Sequence, residues 1–345
     1  MWRSRHSCDA GRRSIIVGMT QVTVYGASGH TGRFIVSELR ERGLTPVLSG
    51  RDPGKLAALG GDIRVAAVDD AAALDRALTG SAAVINAAGP FAGTAGPVVE
   101  AALRAGIPYL DVAAELEAVV DTYGYHDAAV AAGVPVMPAV AFYGGLGDLL
   151  STAALGDWAT ADRIDVAYWL SSWHPTAGTR AAGEVSRGRR AGQRPVLADG
   201  KLTLVDDVAP RTEWTFPAPI GRVEVHSEFT MADSVVVSRH RDVPVISTYM
   251  AAKAIADLAG TTPPAATDER GRSDQTFLVE IVVHRAGKER RITASGRDIY
   301  AISAPLVVEA TELLITSELT GVLAPGAVFE ARDFLGSIKD LTITG

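Results

Sequence analysis

Short, wholly apolar segments alternate with helical stretches along the first part of the chain. The apolar segments occupy residues 22–25, 47–49, 63–68, 82–86, 109–112 and 134–137. Strands that are apolar throughout are buried on both faces, which is typical of a parallel sheet. The stretches between them, such as residues 31–42 and 53–59, predict helices. The alternation predicts a Rossmann-type, doubly wound α/β domain over residues 19–150.

The pattern changes after about residue 157. Residues 164–170 predict a strand, and residues 178–190 predict a helix. Strands of more alternating character are predicted at residues 202–205 and 222–226. Residues 277–284 and 290–295 flank a turn and predict an antiparallel hairpin. An amphipathic helix follows at residues 305–319. We expect a smaller α+β domain for substrate binding or dimerisation at residues 151–303, and a return to the first domain at 304–345.

The N-terminus carries four arginines but only a three-residue apolar run, at residues 15–17. A signal-peptide core needs about 7–15 apolar residues, so secretion is not indicated. We expect Met19 to be the functional start and residues 1–18 to be a disordered extension or an artefact. A basic targeting arm is the alternative.

Composition narrows the class of protein. Hydrophobic residues make up 47% and charged residues 21% of 345, which argues against disorder as the main state. The net charge of 33 − 40 = −7 argues against a nucleic-acid partner. The chain contains no run of about 18 apolar residues, which a transmembrane helix would need, so we expect no membrane partner. Cys8 is the single cysteine, which leaves no disulfide framework and no cysteine metal site. A cytoplasmic protein is expected.

A glycine-rich turn of the form GxxGxxG joins the first strand to the first helix. Gly26 would allow a tight turn, Gly29 would let the backbone approach a pyrophosphate, and Gly32 would permit close packing of helix and strand. The free amides and the positive dipole end of the helix would hold the phosphates. The turn therefore predicts a dinucleotide site, with a purely structural turn as the alternative.

Side chains of the same turn are candidate cofactor ligands. Ser28 belongs to this set, and Thr31 and Arg33 are expected to add hydrogen bonds to the pyrophosphate. His30 lies inside the turn but is expected to face outward.

The end of the second strand indicates which dinucleotide binds. An NAD site usually has Asp or Glu there, to accept the ribose 2′-OH. This chain has Ser49 and Arg51 instead, and a guanidinium suits a 2′-phosphate. Asp52 is expected to cap the next helix, and Asp69 either approaches the adenine or caps the helix that follows it. The sequence therefore favours NADP(H) over NAD.

The fourth strand ends at a segment placed to line the nicotinamide, because ligands bind at the carboxyl ends of the strands in such sheets. Asn86, Ala88, Gly89, Pro90 and Phe91 form it. The small residues leave room for the ring, and Phe91 is expected to cover one of its faces.

These segments resemble the saccharopine dehydrogenase-like oxidoreductases, a group that includes saccharopine reductases and trans-acting enoyl reductases. The matching segments are residues 26–33, 48–51, 86–91, 96–102 and 109–115. The resemblance covers residues 20–150 well and the remainder thinly. It implies an NADPH-dependent reductase with a Rossmann domain and an inserted substrate domain.

The chain departs from the family at residues 141–148, where a GFDSxPSD-like stretch is usual. Tyr143 stands where the family usually has Asp, so a substrate cannot be transferred from the named members. Tyr143 is our candidate proton donor, and the alternative is a packed aromatic residue with a satisfied hydroxyl. His174, in a loop before a helix, is a candidate for the substrate pocket, with an exposed loop histidine as the alternative.

Other polar residues have simpler interpretations. His226, His240 and His284 are expected to be structural, and their spacing does not suggest a metal site. Glu115 is expected to favour the N-terminus of its own helix, with a role as a general base as the alternative. The cluster of Arg187, Arg189 and Arg190 either stabilises a helix C-terminus or recognises an acidic substrate or carrier.

The sequence as a whole predicts a reductase that transfers hydride from NADPH to a C=N, C=C or C=O bond. Its substrate would be a small or carrier-bound metabolite. The alternatives are a catalytically silent NADP-binding redox sensor and a scaffold protein. A strand of the second-domain sheet would support a homodimer.

Overall fold

A computed structural model describes residues 20–198 and 201–345. The predicted extension at residues 1–18, with Cys8, and the expected start at Met19 lie outside the described residues.

The first sheet is entirely parallel and has the strand order β15-β6-β5-β4-β1-β2-β3. Its strands are β1 (Gln21–Tyr25), β2 (Thr45–Gly50), β3 (Asp62–Val65), β4 (Ala83–Asn86), β5 (Tyr109–Asp111), β6 (Pro135–Met137) and β15 (Gly321–Val322). The chain runs outward from β1 to β3 and then returns to β4 on the other side of β1. This reversal creates a crevice at the carboxyl ends of β1 and β4, where Tyr25 pairs with Asn86.

Helices connect these strands, as the alternation predicted. They are α1 (His30–Glu41), α2 (Pro53–Ala57), α3 (Ala71–Leu78), α4 (Phe91–Ala105), α5 (Leu116–Tyr123), α6 (His126–Ala132) and α7 (Gly145–Leu155). Helix α7 is buried along nearly its whole length, because it packs against the second sheet as well as the helices around it.

The second sheet is mixed and has the order β10-β11-β12-β7-β13-β14-β16. Its strands are β7 (Arg163–Leu170), β10 (Arg211–Phe216), β11 (Gly221–His226), β12 (Ile246–Ala251), β13 (Thr276–Arg285), β14 (Lys288–Arg297) and β16 (Leu341–Thr344). A separate hairpin consists of β8 (Arg194–Ala198) and β9 (Lys201–Val205). The predicted hairpin is β13–β14, whose Ala286-Gly287 turn has φ of 49° and 74°, the type I′ geometry that suits strand twist.

The remaining helices are α8 (Ala177–Arg189), α9 (Ala232–Ser238), α10 (Ala252–Asp257), α11 (Ser303–Ile315), α12 (Pro325–Val328) and α13 (Ala331–Ser337). Helix α11 packs against α1, and β15 extends the first sheet beside β6. The final strand β16 joins the other sheet. It pairs with β14 of the second sheet, so the C-terminal segment completes both sheets.

Candidate functional site

The turn after β1 and the loop after β4 meet at the crevice. Gly26 has φ of 87°, in the left-handed region that favours glycine. A Cβ on Gly26 would lie 2.7 Å from the amide nitrogen of Ala88, so only glycine fits there. The amides of Gly26 and Ala27 donate to the Ser49 carbonyl oxygen, at 2.8 and 3.2 Å. The turn is therefore fixed by the two neighbouring strands.

The start of α1 lies close to the glycine-rich turn and has no side-chain cap. A Cβ on Gly32 would lie 2.2 Å from the Gly26 carbonyl oxygen, so glycine brings the helix close to the turn. Gly29 is the cap residue and offers no side-chain acceptor. The first amides of a helix have no partner within it, so those from His30 onward can bind phosphate oxygens.

One of the candidate side chains at the turn already makes a hydrogen bond within the protein. The Arg33 guanidinium donates to the Ser28 carbonyl oxygen at 3.2 Å and remains exposed. The Thr31 side chain is half-buried. Their contacts with a pyrophosphate stay predictions.

The end of β2 presents two groups that suit a ribose phosphate. The Ser49 hydroxyl is buried and has no hydrogen-bond partner among the described residues. Arg51 is exposed, and within residues 20–198 and 201–345 it forms no hydrogen bond or ion pair. Burial raises the pKa of the neighbouring Tyr25 hydroxyl, and the Arg51 charge acts in the opposite direction.

The structure shows which carboxylates cap the helices α2 and α3. Asp52 caps α2 by accepting from the Lys55 amide at 3.1 Å, as predicted. The cap of α3 is Asp70, which accepts from the Ala73 amide at 2.9 Å. Asp69 is therefore not the cap, and its charge contributes to the raised pKa of Tyr25.

Asn86 shapes the loop that follows β4. Its Oδ1 accepts from the Ala88 amide at 3.0 Å, and its Nδ2 donates to the Tyr109 hydroxyl at 3.3 Å. The Thr94 hydroxyl donates to the Ala88 carbonyl oxygen. The Gly89–Pro90 peptide bond is cis. These bonds hold the loop in place, so Asn86 acts on a ligand through the backbone that it positions.

Phe91 begins α4 and is joined there by a carboxylate from another helix. Its amide donates to Glu115 Oε1 at 3.0 Å. Glu115 was expected to serve its own helix, but this bond places it at the N-terminus of α4. Burial raises the pKa of the Glu115 carboxyl. The Phe91 ring is buried in an apolar cluster that includes Leu116, and its cover of the nicotinamide stays a prediction.

Tyr143 is buried in an aromatic cluster between the two sheets. Its ring lies 5.4 Å from the ring of Trp173 and 5.1 Å from that of Tyr168, centroid to centroid. Its hydroxyl has no hydrogen-bond partner among the described residues, so the structure shows the packed ring of the alternative interpretation without the hydrogen bond to backbone. Burial raises the pKa of this hydroxyl well above its usual value, and Tyr300 and Asp233 act in the same direction.

Asp233 is a functional candidate that sequence reasoning missed. Its Oδ1 accepts from the Tyr168 hydroxyl at 2.6 Å and from the Gly144 amide at 2.9 Å, whereas Oδ2 is buried without a partner. Burial raises the pKa of this carboxyl to about 6, against the opposing effect of the Tyr168 hydrogen bond. Asp233 lies in α9, about 90 residues from Gly144, so no local pattern indicated the contact.

His30 and His174 both lie differently from the expectation. His30 was expected to face outward, but its ring packs edge to face between Phe34 and Tyr300, with an enclosed and unpartnered Nε2. Apolar surroundings at the start of α1 draw it inward. The His174 side chain is exposed, and only its carbonyl oxygen joins the cluster, as acceptor of the Tyr300 hydroxyl at 3.4 Å. Its neighbour Trp173 occupies the interior position.

The arginine cluster of α8 joins the two domains. Arg189 pairs with Asp121 at 2.8 Å and Arg190 pairs with Glu117 at 3.1 Å, and both acids lie on α5. Recognition of an acidic substrate by these two arginines is therefore not supported, because their charges are already paired.

Two of the histidines that were expected to be structural have carboxylate partners. His240 Nε2 lies 2.5 Å from Asp148, and His284 Nε2 lies 2.9 Å from Asp165. Both pairs join separate elements, which agrees with a structural role.

Across the described part of the chain, no group of three His, Cys, Asp or Glu residues is placed to hold a metal ion. Within the same residues, no helix is long and apolar enough to cross a membrane.

Comparison with known proteins agrees with this architecture. Residues 26–137 match the model of a family described as NAD(P)H-binding. The fold matches apo saccharopine dehydrogenase (L-Glu forming) from Saccharomyces cerevisiae, with a TM-score of 0.63 and 13% identity, over 94% of this chain and 100% of that one. No curated protein sequence matches the chain.

A weaker likeness is to GenD2 from gentamicin A biosynthesis in complex with NAD. It has a TM-score of 0.39 and 15% identity, over 84% of this chain and 74% of that one, which is too weak a match to assign a fold or a function. At 13% identity the yeast enzyme shows a shared fold. The predicted fold is thus confirmed, because the first domain contains the match to the NAD(P)H-binding family model and the fold as a whole matches that of saccharopine dehydrogenase.

Proposed function

We propose that this chain is an NADP(H)-dependent oxidoreductase that transfers hydride to a C=N, C=C or C=O bond of a small or carrier-bound metabolite. The observation that carries the cofactor choice is the end of β2. There the unpaired Arg51 guanidinium and the unpartnered Ser49 hydroxyl lie beside the turn that starts α1. A planar cation and a hydroxyl donor suit a 2′-phosphate, whereas the ribose hydroxyl of NAD calls for a carboxylate.

The second domain supports a reaction rather than cofactor sensing or scaffolding alone. Tyr143 and Asp233 each have a buried polar atom, between the two sheets, without a partner among the described residues. Such atoms destabilise a folded protein, so their retention favours a function in which a ligand satisfies them. A sensor would not require them. When bound, the reduced nicotinamide would supply the hydride, and the chain would position the acceptor and manage the proton.

A fluorescence titration of the purified full chain with NADPH and NADH tests the proposal. We expect NADPH to bind at least tenfold more tightly, about 1.4 kcal/mol, and Arg51→Glu to abolish the difference. Arg76→Glu is the matched control, because Arg76 is an exposed arginine on α3, away from the turn. Equal binding of NADH would assign the site to NAD. Absence of binding by either dinucleotide would overturn the proposal.

A further inference from the structure

Two side chains between the two sheets carry buried polar atoms that have no hydrogen-bond partner among the described residues. The atoms are Tyr143 Oη and Asp233 Oδ2. Both residues, and Trp173 beside them, are more than nine-tenths buried, and the Trp173 indole interacts with the Tyr300 hydroxyl. Buried polar groups in native proteins are almost always hydrogen-bonded, so two in one place require an explanation.

The three residues belong to one cluster. The Tyr143 ring contacts the rings of Trp173 and Tyr168, and the Tyr168 hydroxyl bonds Asp233. Tyr143 and Asp233 are close enough to interact electrostatically. The two unpartnered atoms therefore belong to one cluster instead of lying in separate parts of the core.

This region adjoins the proposed nicotinamide crevice. Gly144, whose amide binds Asp233, follows β6 at the carboxyl edge of the first sheet. Tyr300, which acts on the Tyr143 hydroxyl, packs against His30 of the glycine-rich turn. The cluster is thus connected both to the strand ends and to the phosphate-binding turn.

A structural role for Asp233 accounts for only one of its oxygens. Oδ1 receives the Gly144 amide at the start of α7 and the Tyr168 hydroxyl. A Cβ on Gly147 would lie 2.1 Å from this oxygen, so the helix start is shaped around it. Oδ2 takes no part in this arrangement, and it is the atom that remains for a ligand.

We propose that this cluster is the substrate site and takes an uncharged carbonyl compound or the corresponding alcohol, with Tyr143 donating to its oxygen and Asp233 acting as acid or base through Oδ2. The inference rests on the proposed function and selects C=O from its three bond types. A carbonyl oxygen has two lone pairs, one for the Tyr143 hydroxyl and one for the protonated Asp233 carboxyl. An imine nitrogen accepts one hydrogen bond and a C=C bond accepts none, so either would leave a donor unsatisfied.

The charges around the cluster favour an uncharged substrate over an anion. The main groups acting on the pKa values of Tyr143 and Asp233 are phenols, backbone amides and the Asp148 carboxylate. None of these is a cation that would offset a carboxylate or phosphate on the reacting end. Removing the charge of an anionic substrate from water would therefore cost free energy that no neighbouring cation offsets.

The reaction balances with one hydride and one proton. The carbonyl carbon receives hydride, with both electrons, from the reduced nicotinamide, and the carbonyl oxygen receives a proton from Asp233. The C=O π bond breaks while C–H and O–H bonds form, and Asp233 is left as a carboxylate to be reprotonated. An acid whose pKa lies near 6 is well matched to this transfer at neutral pH.

Binding to the chain without cofactor is the first test. The full chain is titrated with benzaldehyde, benzoate and 3,4-dihydroisoquinoline, which are matched aryl probes bearing C=O, a carboxylate and C=N. We expect benzaldehyde to quench tryptophan fluorescence and to shift the carboxylic C=O stretch of Asp233 in difference infrared spectra. Trp173→Phe should remove the fluorescence response, and Asp233→Asn should remove the infrared band. Tighter binding of benzoate or of the imine would overturn the inference.

Turnover is the second test. We expect Asp233→Asn to lower kcat for benzaldehyde at least 100-fold and to remove the pH dependence near 6, while the NADPH Kd stays within twofold. Asn retains the Oδ1 acceptor, so α7 remains capped, and melting temperature checks this. Asp165→Asn is the control, since Asp165 is also buried but pairs with His284 elsewhere in the second sheet.

The two proposals fail separately. Retained activity in Asp233→Asn, or absence of benzaldehyde reduction by a chain that binds NADPH, would overturn the substrate site. Absence of NADPH binding would overturn the proposed function instead.

Discussion

The imidazole of His30 meets the ring of Tyr300 edge to face, with centroids 5.2 Å apart. This contact joins the glycine-rich turn to a segment that precedes α11, 270 residues later in the chain. The Tyr300 hydroxyl in turn lies 3.1 Å from the Thr179 hydroxyl in the first turn of α8. The glycine-rich turn, the start of α8 and the approach to α11 therefore form one continuous contact.

Removal of the Tyr300 ring should weaken dinucleotide binding. We expect Tyr300→Ala to raise the NADPH Kd about tenfold, because the His30 ring loses an edge-to-face partner of roughly 0.5–1.5 kcal/mol and its packing. Tyr300→Phe keeps the ring and should stay within about threefold of the unchanged chain. Fluorescence titration measures both. Equal losses in the two variants would show that the hydroxyl, rather than the ring, matters.

His30 should make NADPH binding depend on pH. Burial lowers the pKa of its imidazole, so the ring is neutral in the free protein at pH 7. A nearby pyrophosphate favours the charged form, so binding raises the pKa and takes up a proton. We expect Kd to tighten as pH falls from about 7.5 to 6. Calorimetry in two buffers of different ionisation enthalpy measures the uptake, and His30→Gln should abolish it.

Gly147 should be intolerant of a methyl group. In Gly147→Ala the new Cβ would lie 2.1 Å from Asp233 Oδ1, which is held by the Gly144 amide and the Tyr168 hydroxyl. We expect the free energy of unfolding to fall by about 1–3 kcal/mol. Gly188→Ala in α8 meets nothing within 4 Å and should gain about 0.5–1 kcal/mol. Urea unfolding of both variants checks the contrast, which similar losses would contradict.

Asp233 should also set a pH dependence of stability. Its folded pKa of about 6 lies above the ordinary value of 3.8 that applies to the unfolded chain. The folded state therefore holds the proton more tightly, and stability is full below about pH 4 and falls as pH rises through 6. The contribution is about 3 kcal/mol, at about 1.4 kcal/mol per pH unit. Melting temperature of Asp233→Asn should decline less from pH 4 to 7 than that of the unchanged chain.

The first domain could be predicted from sequence because its signals are local. Each apolar strand and the spacing of Gly26, Gly29 and Gly32 lie within short segments, and the sheet order follows from chain alternation. The short strand β15 and the final strand β16 gave no such signal, because each is stabilised by a sheet assembled elsewhere in the chain.

The candidate site was predictable only where it follows a strand directly. Tyr143 was found by its position after β6, whereas Asp233, Trp173 and Tyr300 reach it from distant elements. Contacts of that kind depend on how two sheets pack, which neither periodicity nor motif spacing encodes. The inward position of His30 was missed for the same reason, since Tyr300 is what encloses it.

Helix α8 is fastened at both ends, to Tyr300 at its start and to α5 at its finish. Glu115, which precedes α5, accepts a hydrogen bond from the first amide of α4, beside the loop that follows β4. The ion pairs at the finish of α8 are Arg189–Asp121 and Arg190–Glu117. Because these pairs are partly exposed, added salt weakens them. Raising the ionic strength would thus loosen the end of α8 from the first domain while its first turn stays in contact with Tyr300, so salt sensitivity should be confined to one end of this helix.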